Sequence, residues 1–124
     1  MNRFQIFFNI QNELNRNDEA HVFKIKNSSV NGVVLKTHIE EFCFRIDRND
    51  VTGVYRLRVH SPKPIGAAFA YALAEVTPEL VTRKSDGTVN AMKWEFPEAS
   101  VIDSVGALVD VFCRVANLVR AFHA

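Results

Sequence analysis

Four histidines, two cysteines and several adjacent carboxylates are the side chains of this chain that could carry proton transfer, nucleophilic attack or metal ligation. A metal site needs ligands at short, fixed spacing, and no HxxxH or HxH pattern joins His21, His38, His60 and His123. Cys43 and Cys113 fit no CxxC or CxxH spacing and read as free buried thiols. Cys43 could meet His38 or His60 on one face, but nothing in the spacing sets a nucleophile-base geometry. The pairs Glu40-Glu41 and Asp18-Glu19 fall in or beside turn sequence, where water surrounds a carboxylate and does not tune it for acid-base work. Gly32, Gly53, Gly66, Gly87 and Gly106 are isolated and build no phosphate-cradling loop. His123 has a simple role as a cation at a helix C-terminus. No catalytic residue, metal or cofactor is assigned, the expectation is a protein that is not an enzyme, and no motif names a substrate.

The residues with a collective chemistry are basic. Lys24, Lys26, Lys36, His38, Arg45, Arg56, Arg58, His60 and Lys93 alternate with apolar residues along β-rich runs, so a pleated sheet would turn them all to one face. Only Glu40, Asp47 and Glu95 join them there; the acids that bring the formal charge to +1 sit in loops and helices. A near-neutral chain can thus present a positive sheet face. Such a face either solvates the sheet and guards its edges, or docks a phosphate backbone or an acidic protein.

The elements that position these residues follow from turn chemistry and period. Strands are expected at about 21–27, 32–38, 40–48 and 53–60, broken by Asn27-Ser28-Ser29 with Asn31-Gly32, by a kink near Thr37 to Glu40, and by Asn49-Asp50 with Gly53. Loops this short imply antiparallel pairing. Pro62 and Pro64 stop the last strand, and a hairpin of 80–84 and 88–96 turns at Asp86-Gly87. Residues 3–14 fit strand alternation (Phe4, Ile6, Phe8, Ile10) and a helical face equally, while the Ala-rich 65–76 leans to helix. The face opposite the basic one would carry Phe23, Ile25, Val33, Leu35, Phe42, Phe44, Ile46, Tyr55, Leu57, Val59, Met92, Trp94 and Phe96.

That apolar face needs a cover, and residues 100–124 supply one. Val101, Val105, Leu108, Phe112, Val115, Val119 and Phe122 recur at intervals of four and three, with Ile102, Val109 and Ala116 widening the stripe, behind an N-cap at Ser100 with Asp103 three residues on. The stripe is wider than one sheet contact requires, so two surfaces should pack on it. Gly106 inside such a helix suggests close backbone approach, and Val105, Val109, Phe112 and Ala116 become the candidate interface of a homo-oligomer, unless the N-terminal or Ala-rich segment covers them within one chain.

The 124 residues, 48% apolar and 23% charged, make a single α+β domain over 1–124: an antiparallel meander of five to seven strands with the long C-terminal amphipathic helix on one face. No secretory signal or membrane span is read, and a cytoplasmic location is expected. The leading functional expectation is a small regulator, inhibitor or adaptor that engages an acidic protein partner through Lys24, Lys36, Arg45, Arg56, Arg58 and His60. Single-stranded nucleic acid is the alternative, disfavoured because the aromatic rings fall on the apolar side. A third reading is a small-molecule pocket between sheet and helix, lined by Phe42, Phe44, Trp94 and Phe112.

Overall fold

The computed structural model describes residues 2–18, 26–27, 34–82 and 88–123. The ambiguous N-terminal segment is a helix, α1 (Arg3–Asn17). It starts with a capping box: the Asn2 side chain accepts the Gln5 N–H at 3.0 Å, and the Gln5 side chain accepts the Asn2 N–H at 3.0 Å. Ile6, Phe7, Ile10 and Leu14 are buried, whereas Phe4 and Phe8, which made the strand-like alternation, face outward at 49% and 63% exposure.

Six antiparallel strands follow: β1 (Lys26–Asn27), β2 (Leu35–Ile39), β3 (Phe42–Arg48), β4 (Tyr55–His60), β5 (Glu79–Thr82) and β6 (Val89–Phe96), in the spatial order β1-β2-β3-β4-β6-β5. The chain leaves β4, crosses by helix α2 (Ala67–Leu73) and a short 3₁₀ turn (Ala74–Val76) to the far edge, and returns through β6 to pair with β4. The Ala-rich segment is therefore helical. Of the strand expected at 21–27 only Lys26–Asn27 is described; Lys24, Phe23, Ile25, Val33 and the Asp86-Gly87 turn lie outside the described residues.

Two turns set the register of β3. Between β2 and β3 the two turn residues Glu40 and Glu41 both have positive φ (49° and 74°), the backbone of the tightest hairpin turns, which Asn and Gly normally supply. The kink expected near Thr37 to Glu40 is thus a turn at Glu40 and Glu41, and Thr37 stays in the strand. Between β3 and β4, Asn49 Oδ1 accepts the N–H groups of Val51 and Thr52. Gly53 has φ +77° there, a conformation that favours glycine, and a Cβ on it would fall 2.0 Å from Glu98 Oε2 and displace that carboxylate from Arg48.

The expected helix over 100–124 is two helices. α3 (Glu98–Asp103) begins behind Pro97, two residues before the predicted cap at Ser100, and ends at Ser104, whose backbone is extended (φ −159°, ψ 133°). The Ser104 hydroxyl then accepts the Gly106 N–H at 3.1 Å at the start of α4 (Gly106–His123). Gly106 opens a helix and is not inside one, which removes the argument for close backbone approach. Ile102 falls on the outer side, 42% exposed.

α4 lies on the apolar sheet face, and the chain supplies its second contact: α1 packs on one flank and α2 on the other. Phe44 and Phe112 stack across the sheet-helix interface with ring centroids 5.0 Å apart, Phe7 meets Tyr55 at 5.5 Å, and Phe42 meets Phe69 at 5.6 Å. Trp94 Nε1 donates to the Val76 carbonyl at 2.6 Å, tying β6 to the 3₁₀ turn. Every described residue of the predicted apolar face belongs to this one cluster except Phe96, which is half-buried and packs against it.

Val109, Phe112 and Ala116 are 4%, 1% and 0% exposed, and Val105 is half-buried beside α1, so the proposed oligomer interface is occupied by the chain's own helices. Phe42, Phe44, Trp94 and Phe112 line no common cavity, because their rings fill the space between sheet and helix. The molecule is α+β, an antiparallel sheet with the C-terminal helix on one face. Among the described residues no helix is long and apolar enough to cross a membrane.

Candidate functional site

Because every described helix contributes its buried residues to the cluster on the apolar face, the opposite face carries no described helix. It is built from the outward parity of β2, β3, β4 and β6: Lys36 and His38, Cys43, Arg45 and Asp47, Arg56, Arg58 and His60, Lys93 and Glu95. It has no Phe, Tyr or Trp among these positions.

Strand register arranges the residues in rows across the sheet. Lys36 pairs with Arg45, Arg45 with Arg58, and Arg58 with Lys93, so four cations stand directly opposite one another on four neighbouring strands. At one end the register continues to the Lys26 backbone on β1, and at the other it closes on Glu79 of β5. Like charges directly opposite each other destabilise a sheet, so a row of this kind is not what stability alone would select.

One residue makes the row tolerable. Asp47 lies one row away, directly opposite Arg56, and binds three arginines at once: Arg45 Nε donates to Oδ2 at 3.2 Å, Arg56 Nε donates to Oδ1 at 2.9 Å, and Arg58 Nη2 donates to Oδ2. The aspartate side chain is 7% exposed beneath its three arginine partners, although its face carries no described helix. Burial acts to raise its pKa, but the Arg45 hydrogen bond and the charges of Arg58 and Arg56 outweigh this and hold the carboxyl below its ordinary range.

The contacts with Asp47 have a geometric consequence. Arg45 and Arg56 are held through Nε, which leaves their terminal Nη pairs for a carboxylate or phosphate arriving from solvent. Arg45, Arg58 and Arg56 remain 39%, 32% and 27% exposed. Lys36 has no ion-pair partner among the described residues, while Lys93 is offset by Glu79 at 3.6 Å and Glu95 at 3.4 Å. The positive field is therefore strongest over β2, β3 and β4.

The next row reads His38, Cys43, His60, with the thiol in register between two imidazoles. No hydrogen bond joins them among the described residues, and no group of three His, Cys, Asp or Glu side chains there comes together to hold a metal. His60 is held below the usual imidazole pKa, first by burial and then by the charges of Arg58 and Arg45. His123 packs its ring 4.7 Å from both Phe42 and Phe69. Both cysteines are free thiols and half-buried.

Of the residues singled out in the sequence, Lys36, Arg45, Arg56, Arg58 and His60 come together on one face, and Lys24 lies outside the described residues. Strand parity placed Asp47 there as a mere counter-charge; its central position depends on the β3-β4 register. No protein family, curated protein or solved structure matches the chain.

Proposed function

We propose that this chain is a non-enzymatic binding protein, a small regulator, inhibitor or adaptor, whose open sheet face engages an acidic protein partner. The observation that carries this reading is the row Lys36, Arg45, Arg58 and Lys93 on a face without a described helix, with the arginines pinned by Asp47. Side chains that Asp47 already holds in place lose less entropy when a partner arrives. Charge complementarity of this kind raises the association rate and makes it fall with salt.

Single-stranded nucleic acid is the second reading, favoured by the free Nη pairs of Arg45 and Arg56, which suit phosphate as well as carboxylate. It ranks below because the described residues of the face offer no aromatic ring on which a base could stack.

A fluorescence-anisotropy titration with labelled polyglutamate and with a labelled mixed-sequence oligonucleotide, each at low and moderate salt, tests the reading. Polyglutamate is expected to bind at low salt, and Lys36→Glu to weaken it several-fold. Lys63→Glu, the same charge change in the exposed loop after β4, is expected to have little effect. Failure of polyglutamate to bind, or equal losses in the two variants, would remove the acidic-partner reading; tighter binding of the oligonucleotide would move the assignment to nucleic acid.

A further inference from the structure

The cations of the open face run across the strands, and that direction constrains what lies on them. We infer that the partner presents an α-helix, laid crosswise over β2, β3, β4 and β6, with its carboxylates along one side; this rests on the acidic-partner reading above.

The first argument is backbone satisfaction. The partner meets the face of the sheet and not its edge, so the N–H and C=O groups of the strands are already spent in the ladders β2-β3, β3-β4 and β4-β6. An extended acidic segment would find only side chains beneath it and would leave its own backbone unpaired on that side. A helix brings its backbone bonds with it.

The second argument is spacing. Neighbouring strands lie about 4.8 Å apart, so the row from Lys36 to Lys93 covers roughly 14 Å, and roughly 19 Å if counted from the Lys26 backbone. Carboxylates at positions i, i+4, i+7 and i+11 of a helix recur about every 5.4 Å along one side and span about 16 Å. The mismatch per step is about half an ångström, well within the reach of Arg and Lys side chains. An extended chain repeats its same-side residues about every 6.7 Å and puts only two or three carboxylates over the same row.

Along the strand direction the pattern is poorer. A helix parallel to β3 would pass Cys43, Arg45 and Asp47, and one parallel to β4 would pass His60, Arg58 and Arg56, so neither meets four cations in succession. Asp47 also sits in the neighbouring row, beside the path of the crosswise helix and not beneath it.

Three synthetic peptides of equal length and net charge test this. One places Glu at i, i+4, i+7 and i+11 in an Ala-rich helix, the second distributes the same Glu residues around the helix, and the third interrupts the first with a central Pro. Anisotropy titrations at low salt are expected to give roughly tenfold tighter binding for the one-sided helix than for either of the others, with Lys36→Glu erasing most of the difference. Circular dichroism of each peptide alone establishes that the first two are equally helical. Equal affinity of all three would overturn the helix while leaving the acidic-partner reading standing. Binding by none of them and by no polyglutamate would remove both, and preference for an oligonucleotide over all three would also overturn the inference.

Discussion

Asp47→Asn is expected to lower the melting temperature at neutral pH by roughly 10 °C and to make the protein less sensitive to acid below the ordinary carboxyl value of 3.8. Removing one partner of a buried charge pair costs about 3–5 kcal/mol. The arginines around Asp47 are 27–39% exposed, so solvent screens part of the loss, and about 2–3 kcal/mol remains. For a chain of 124 residues, each kcal/mol is worth about 4 °C. The variant makes the face more positive, so simple charge counting predicts tighter binding of an acidic peptide. Loss of the Nε contacts predicts the opposite, because Arg45, Arg56 and Arg58 then repel one another and disperse.

The acid response has a definite sign. The folded pKa of Asp47 lies below its ordinary 3.8, so its contribution is complete above that value and is lost as pH falls through the folded pKa. His60 acts in the same direction at higher pH: its folded pKa lies below 6.5, the unfolded chain takes the proton first, and stability declines as pH drops below 6.5 towards the folded value. Thermal melts between pH 7 and pH 3 should therefore show two declines in the wild type. The lower one should be reduced in Asp47→Asn, and the upper one in His60→Gln.

Phe112→Ala should have the largest effect of any single change, about 3–5 kcal/mol, because it empties the contact with Phe44 in a region where both rings are about 1% exposed. That is a large share of the 5–15 kcal/mol typical of a domain. Phe122→Ala, on the same helix but 46% exposed, is the matched control and should cost under about 1 kcal/mol. Urea midpoints of the two variants check the seating of α4. Similar midpoints would mean that the helix does not rest on the sheet as described.

Much of this architecture was legible because strand parity is strict. Once Leu57 and Val59 are assigned inward, Arg56, Arg58 and His60 must point outward, and the same holds for Arg45 between Phe44 and Ile46. Parity says nothing about which outward residues stand opposite one another. That depends on the length of the Asn49–Val54 turn, which sets Asp47 against Arg56 and Arg45 against Arg58. The hub at Asp47 was therefore hidden, although a lone acid flanked by Arg45 and Arg48 on a β-run was its available signal.

Two other features escaped for different reasons. The apolar interval of four from Val101 to Val105 continues across the extended Ser104, so periodicity reads one helix where there are two; Ser104 followed by Gly106 was the local sign of a fresh start. The width of the α4 stripe correctly implied two packing surfaces. Whether the second belonged to this chain or to another copy turned on α1, where Phe4 and Phe8 could be told from Ile6, Phe7 and Ile10 only by seeing which side meets α4.

The most direct test of the binding face is an amide chemical-shift map of the ¹⁵N-labelled protein titrated with the one-sided acidic helix at low salt. The account predicts that the shifts concentrate at Lys36, Arg45, Arg56 and Arg58, with the amides of α2 and the exposed side of α4 unmoved. Shifts centred on α2 and α4, with the strand amides unchanged, would contradict it.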